Sequence, residues 1–356
     1  MPHASGYFRT SYERDLALLD TRTQKAWTVA LVLALGAFPF LVGPFALDLA
    51  NQVFLSSIGA VSLMLLTGYA GQISLGHAGL LAAGAFATGI LVREVNAAFW
   101  VTLPAAAALG ALLGFIFGLP SLRLRGLYLA VSTLALHFIV IYLGGEYETK
   151  RGFSTGIVID PPRIGGWSLT SGRAWYFVLL VFALLNLLFA LNLLRCRTGR
   201  AWRALHGRDT VAEALGIPVP LYKLAAFVVS STLTSVAGAL FAYYRGFVSA
   251  EAFSMFVSIQ YIAMTIIGGM GSLLGALLGT VFVVLFPYAI ETLMGVLPTP
   301  AAWQNQVFAV NYAAFGVVMI LFLVFEPHGL VGIWRRIQNW ALVWPLRRNP
   351  FSGTGG

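Results

Sequence analysis

Hydrophobic positions in this chain come in long runs, not at the two-residue spacing of a half-buried strand or the three-to-four-residue spacing of an amphipathic helix. The runs recur from Lys25 to Phe325 with few charges inside them. Each is long enough for a helix to cross the hydrocarbon core of a bilayer, which takes about 20 residues. Alternating segments of about ten residues, which would predict a membrane barrel, are absent from the sequence. Lipid offers the backbone no hydrogen-bond partners, so the runs read as α-helices. The predicted fold is an all-α polytopic membrane protein.

Composition agrees with the pattern. Of 356 residues, 59% are hydrophobic and 10% charged, against about 25% charged in a soluble domain. The formal charge of +9 reads as the positive-inside bias of a membrane protein, so no nucleic-acid partner is expected. Cys196 is the only cysteine, which excludes an internal disulfide. It sits between Arg195 and Arg197 with no second thiol beside it and is taken as incidental. Residues 1–26 mix acids and bases before any apolar run and lack the form of a secretory signal, so the first span is expected to stay in the membrane.

Charge then sets the topology. Sixteen of the 22 Lys and Arg fall in four segments: Met1–Ala26, Pro120–Arg125, Arg195–Lys223 and the tail after Phe325. The positive-inside rule places all four, and both termini, in the cytoplasm. The connections Asp48–Asn51, Arg93–Ala97, Gly145–Arg173, Arg245–Phe256 and Glu291–Asn305 are then outside. The predicted organisation is a cytoplasmic segment 1–26, a transmembrane domain 27–325 and a cytoplasmic tail 326–356. Within the transmembrane domain, 145–173 is an external loop and 195–223 a cytoplasmic loop.

This topology requires the chain to enter and leave the membrane between Asn51 and Arg93, and again between Phe256 and Glu291. Each interval has room for two short spans of roughly 16 to 20 residues. The predicted breaks are "GQISLG", with Gly71 and Gly76, and "IIGGMGSLLGALLG", with Gly268, Gly269 and Gly271. Two Gly-broken short-helix hairpins, one per half, suggest a diverged internal repeat and 8–10 transmembrane helices in all. Irregular backbone at membrane depth is tolerated where protein buries it or a path runs past it. Two readings of the first break stay open: close helix packing through Gly76 and Gly79, or a translocation route carrying Gln72, Ser74 and His77.

The interior of the spans is almost free of ionisable groups. Asp48, Glu146, Glu291 and Glu326 fall at predicted helix ends, and His77 and His137 are the deep candidates. A proton relay therefore lacks its parts. Sodium coupling through backbone carbonyls and hydroxyls stays open, which keeps a sodium-coupled carrier of a small polar solute as the alternative function. No catalytic constellation and no metal-ligand spacing stand out, and "GGMGSLLG" lacks the lysine of a phosphate loop. The chain is expected to be no enzyme and to hold no cofactor.

The loop "RCRTGRAWRALHGRDTVAEALGIPVPLYK" carries its own helix punctuation. Thr210 and Glu213 are spaced as a capping box, and Gly216 is placed to end the helix in a left-handed cap. A preceding short helix over Gly199–His206 would complete a basic helical knob with Val211, Ala214 and Leu215 on one face. The knob serves either as a docking surface or as a connector folded against lipid.

Several stretches resemble the LivM-type permease subunits of ABC importers for branched-chain amino acids. They are "LLTGYAGQISLGHAGLLAAGAFATGIL", "LRGLYLAVSTLAL", "GRAWRALHGRDTVAEALGI", "SIQYIAMTIIGGMGSLLGALLG" and "FEPHGLVGIWRR", in the family's order. The resemblance implies a bacterial inner-membrane permease subunit of an ATP-driven importer. It also implies a second, LivH-type permease, two cytoplasmic ATPase subunits that bind the ATP, and a periplasmic solute-binding protein. "AEALG" is similar to the coupling motif of importer permeases, which would put Glu213, Ala214 and Gly216, with Arg200 nearby, at the ATPase contact. Gln72, Ser74 and His77, with Gln260 and Thr265 in the second half, would then line the path of the solute.

Overall fold

The computed structural model describes residues 22–124, 126–153, 156–164, 167–207, 209–296, 307–326 and 328–343. The cytoplasmic placement of residues 1–21, the cations Arg9, Arg14, Arg125, Arg208, Arg347 and Arg348, and residues 297–305 of the connection expected at Glu291–Asn305 lie outside them; the first part of that connection, up to Val296, is helix. The chain divides after Asp48 into two compact units. In the first, α1 (Arg22–Leu41) exposes Trp27, Leu33 and Leu41.

The second unit starts within α2 (Pro44–Leu63), which a π-helical turn extends to Tyr69. It continues through α3 (His77–Val95), α4 (Phe99–Gly118), α5 (Leu127–Arg151) and α6 (Gly172–Arg195). Two short helices, α7 (Arg197–Gly207) and α8 (Asp209–Ala214), lead into the long α9 (Val219–Arg245). The remaining helices are α10 (Met255–Gly268), α11 (Leu273–Val296), α12 (Val307–Phe325) and α13 (Gly329–Val343). Eight helical segments among the described residues are long and apolar enough to cross a membrane. α12 and α13, bent by 54°, would count together as a ninth. The fold is all-α and polytopic, within the predicted range.

Several expected boundaries move, each for a local reason. Asp48–Asn51 is no connection: α2 runs through it, and the interruption is at Val42–Gly43. Pro44 begins the helix where its missing N–H is no loss, and Asn51, fully buried, donates from Nδ2 to the Gly172 carbonyl at 3.2 Å. The loop expected from Gly145 starts only after Arg151. Its charges prolong α5 instead: Lys150 pairs with Glu146 at 3.0 Å, Arg151 with Glu94 at 2.9 Å, and the Tyr147 hydroxyl donates to Glu94 at 2.6 Å. Lys223 likewise belongs to α9, not to the preceding loop. The helices that lead into the two predicted breaks are also unequal in length. α2 with its π turn spans 26 residues, longer than predicted, whereas α10 has 14.

α9 is the hub of the second unit. Its segment "SSTLTSVAGAL" presents small and hydroxylated residues to α2, α3 and α4. Ser230 donates to the Ser62 carbonyl at 2.8 Å, Ser62 and Thr234 share a 2.7 Å hydroxyl contact, and Ser235 donates to the Leu80 carbonyl at 3.0 Å. Such interhelical bonds contribute about 0.6 kcal/mol each in a bilayer. Gly84 on α3 packs on the Ser235 backbone, Gly238 on the Leu81 backbone, and Gly110 and Gly114 on α4 meet Ser231 and Ser235. The close approach read from sequence at Gly76 and Gly79 is realised against Thr133 and His137 of α5, and the crossings around α9 add to it through other glycines.

The long connection between α5 and α6 is anchored at the far end of α9. Ile157–Val158 pairs antiparallel with Phe247–Val248, and a second two-residue pairing joins Arg163–Ile164 to Trp167–Ser168. Ile157 and Val248 are fully buried.

Candidate functional site

Both predicted helix breaks exist in the backbone, at residues 70–76 and 269–272. Gly71, Gly269 and Gly271 take positive φ of 69°, 113° and 78°, conformations that side-chain-bearing residues rarely adopt. The breaks also meet. A Cβ on Gly68, in the π turn before the first break, would stand 2.9 Å from the Gly271 nitrogen. Gly268 packs on the backbone of Gly275 and Gly279, and Gly269 on the His328 carbonyl where α13 begins.

The knob lies directly against the first break. Gly71 abuts His206 of α7, and the Gln72 carboxamide donates from Nε2 to the Lys223 carbonyl at 3.1 Å. Lys223 in turn forms an ion pair with Asp209 at the start of α8. Trp202, fully buried, donates to the Tyr222 carbonyl at 2.9 Å and plugs α7 into the bundle. Arg200 and Arg203 donate to the Arg195 and Leu194 carbonyls at 2.8 and 2.9 Å, closing the C-terminal end of α6. Arg200, assigned to the ATPase contact from sequence, therefore spends one guanidinium bond within the knob.

α8 ends as predicted. Gly216 has φ 79°, its amide donates to the Glu213 carbonyl at 2.9 Å, and the Ile217 amide reaches Ala212 at 3.1 Å, the two bonds of a Schellman cap. Its start does not follow the expected capping box. The helix begins at Asp209, with Thr210 already inside it, because the Asp209 carboxylate is held in the first turn by Lys223. Val211, Glu213, Ala214 and Leu215 are all exposed, and Leu221 continues the apolar surface onto α9.

The predicted path residues divide into two groups. Gln72, Ser74, His77 and Thr265 are buried in packed protein. Break amides are satisfied by hydroxyls on other helices: Leu75 donates to Thr133 and Ala78 to Ser258, both at 2.9 Å. Gly76 packs on the Thr133 backbone, and Thr265 bonds back to the Ile262 carbonyl at 2.7 Å. His77 packs against Tyr261 with ring centroids 4.7 Å apart and the planes tilted by 56°, and the Tyr261 ring occupies the space left by the missing side chain of Gly59. Gln260, in contrast, borders a cavity of about 260 Å³ between α2, α9, α10 and α11. Gln52, Ser56, Arg245 and Tyr288 supply its other polar groups, and Tyr261 reaches Ser56 by a side-chain hydrogen bond.

Sequence reasoning missed Thr133, Ser258 and the Asp209–Lys223 pair, because each acts through a partner at least 14 residues away. The cavity's polar residues left a weak trace: Gln52, Ser56 and Tyr288 interrupt otherwise apolar runs.

Comparison with known proteins agrees with this architecture. Residues 45–323 match the family described as branched-chain amino acid transport system / permease component. The high-affinity branched-chain amino acid transport system permease protein LivM of Escherichia coli (strain K12) is 31% identical over 90% of this chain and 79% of its own length. The probable branched-chain amino acid transport permease protein LivH of Methanocaldococcus jannaschii is 25% identical over 72% of this chain and 82% of its own. The autoinducer 2 import system permease protein LsrC of Enterobacter sp. (strain 638) is 28% identical over 62% of each chain. No solved structure matches. These relatives are permeases of transport systems, which favours a transport subunit over an enzyme and gives no support to the sodium-coupled carrier. A helical bundle with eight spanning segments, a family match over most of its length and a LivM relative covering nine-tenths of it lead to one conclusion: this multi-pass membrane chain belongs to the permease components of branched-chain amino acid transport systems.

Proposed function

We propose that this chain is the gate half of an ATP-driven importer that moves branched-chain or chemically similar amino acids across the inner membrane into the cytoplasm. A LivH-like permease stands beside it, two ATPase subunits bind and hydrolyse ATP below, and a soluble binding protein delivers the solute from the periplasm. The knob end is cytoplasmic, following the charge asymmetry of the loops, with residues 1–26 and 326–356 on the same side. The loop 195–223 is the coupling loop and 145–173 the periplasmic one.

One observation carries this reading. The knob exposes a small apolar face with one carboxylate, and the elements behind that face are bonded to the first helix break. A push on α8 is thereby delivered through Asp209, Lys223 and Gln72 to the backbone at residues 70–76. Glu213, Ala214 and Gly216 form the ATPase contact, with Arg200 bracing the knob. Gln72, Ser74, His77 and Thr265 act as the closed gate, and Gln260 faces the route above it.

Reconstituted with all its partners, a Glu213→Arg complex should import at no more than about one-hundredth of the native rate, since Glu213 is placed to pair with a cation of the ATPase and a like-charge contact there costs several kcal/mol. Membrane insertion should be unchanged; normal coupled transport would sink the assignment. Gln72→Ala should lower uptake per ATP hydrolysed while leaving assembly and solute binding by the soluble partner intact, and an unchanged ratio would remove Gln72 from the gate. Solute accumulation by the purified chain alone, driven by an ion gradient without ATP, would overturn the importer itself.

A further inference from the structure

We infer that the cavity between α2, α9, α10 and α11 is a binding station for a zwitterionic amino acid, with Arg245 receiving the carboxylate at its rim. The inference rests on the importer reading above and names the groups that meet the solute. Its starting point is an unusual cation. At the end of the bundle opposite the knob, Lys150 and Arg151 are paired with Glu146 and Glu94. Arg245, the last residue of α9, has no carboxylate partner among the described residues. Its guanidinium lies instead about 6 Å over two aromatic rings, Phe241 (6.0 Å) and Tyr244 (5.9 Å). Such cation–π contacts hold the guanidinium near the two rings and leave its N–H groups available to a carboxylate.

Below the rim the cavity changes character. The Gln260 carboxamide is half-buried and makes no hydrogen bond among the described residues, and across the cavity Gln52 donates to the Tyr288 hydroxyl at 3.5 Å. The Gln260 carboxamide oxygen can accept an ammonium group. The rest of the wall is largely apolar, with Phe241 and Tyr261 among its rings. An apolar wall with a few convergent polar groups is the usual form of a small-molecule site. The floor is closed by Tyr261, which packs against His77 and is bonded to Ser56. A solute entering past Arg245 would stop there, one layer above the break that the knob controls. The single full charge stands at the mouth and neutral amides lie deeper, so the solute is attracted without being trapped.

The test uses the intact complex in proteoliposomes, with Cys196→Ser as background and Gln260→Cys as reporter. A membrane-impermeant anionic methanethiosulfonate applied from the periplasmic side should react about fivefold faster than its cationic counterpart, as expected for one nearby positive charge in a partly screened site. Adding Arg245→Gln should abolish that preference. Concentrated L-leucine should slow the reaction at least twofold, and L-leucinol, which lacks the carboxylate, should not. In complexes with Gln260 intact, Arg245→Gln should cut leucine uptake about tenfold, the loss expected for one charge-assisted hydrogen bond of about 1.5 kcal/mol, while Arg245→Lys retains a substantial part. A reporter that reacts only from the cytoplasmic side, equal rates for the two reagents, or protection by leucinol as good as by leucine would each overturn the station. Normal uptake by Arg245→Gln would do the same. A complex that imports no leucine but keeps the Arg245-dependent preference and leucine protection would instead defeat the importer reading and leave the station standing.

Discussion

A Gly84→Leu variant is expected to yield almost no folded permease. Gly84 on α3 and Gly238 on α9 sit at one crossing, each against the other helix's backbone. A Cβ on Gly84 would stand 2.6 Å from the Ser235 carbonyl carbon, and one on Gly238 would stand 2.7 Å from the Leu81 carbonyl carbon. Neither obstacle is a side chain that can swing aside, so the helices must separate. Overpacking costs about 1–3 kcal/mol where neighbours can adjust, and here they cannot. Separation also weakens the bonds that Ser230, Thr234 and Ser235 make to α2 and α3, at about 0.6 kcal/mol each. Against a total stability of about 5–15 kcal/mol, that loss is disabling. Yield of monodisperse protein and its thermal midpoint would measure it. Gly316→Ala provides the control: nothing lies within 4 Å of a Cβ there, so its midpoint should hold or rise with the better helix propensity of alanine. A normal midpoint for Gly84→Leu would mean that the α3–α9 crossing is looser than described.

Lys223→Met should uncouple the knob from the gate. The Lys223 and Asp209 side chains are 11% and 19% exposed, so the pair is mostly screened from water by protein. Removing the lysine takes a close, mostly buried ionic partner from the Asp209 carboxylate; breaking such a pair costs about 3–5 kcal/mol when it is fully buried and less at this exposure. Without that tie the start of α8 should loosen from α9. The readouts are protease sensitivity of the 195–223 loop, which should rise, and solute moved per ATP hydrolysed, which should fall about tenfold. The double variant Lys223→Met with Asp209→Leu separates two effects. It replaces both members of the pair and should restore protease resistance, because apolar replacement of a buried pair is often neutral. If coupling is also restored, packing alone transmits the motion; if not, the ion pair does. Unchanged coupling in Lys223→Met itself would remove the pair from the linkage.

Much of the fold was legible because lipid leaves the chain few choices. Runs of apolar residues must be helices, and the left-handed cap at Gly216 follows from a glycine standing where α8 runs out of helix formers. The breaks at 70–76 and 269–272 were visible for a similar reason: glycine and polar side chains do not continue an apolar span without cause. Boundaries were less legible where charges both mark a membrane edge and make good helix surface. Residues 145–151 read as loop by polarity and fold as helix through the Glu146–Lys150 and Glu94–Arg151 pairs. The candidate site was legible only in part. Gln72 and His77 were found by their oddity within an apolar run, but their partners Lys223 and Tyr261 lie far along the chain.

By itself the sequence determined the all-helical membrane architecture, the two interrupted segments and the basic helical loop, since each follows from local preference or from a solvent that forbids the alternatives. Tertiary structure alone decided that the breaks lie against one another, that Asp209 and Lys223 join the knob to the first of them, and that Arg245 stands over a cavity floored by Tyr261 and His77. Those relations depend on which helices become neighbours. Between nearly uniform apolar surfaces, that choice is made by the fit of glycines and hydroxyls across the crossings, which no local stretch of residues contains.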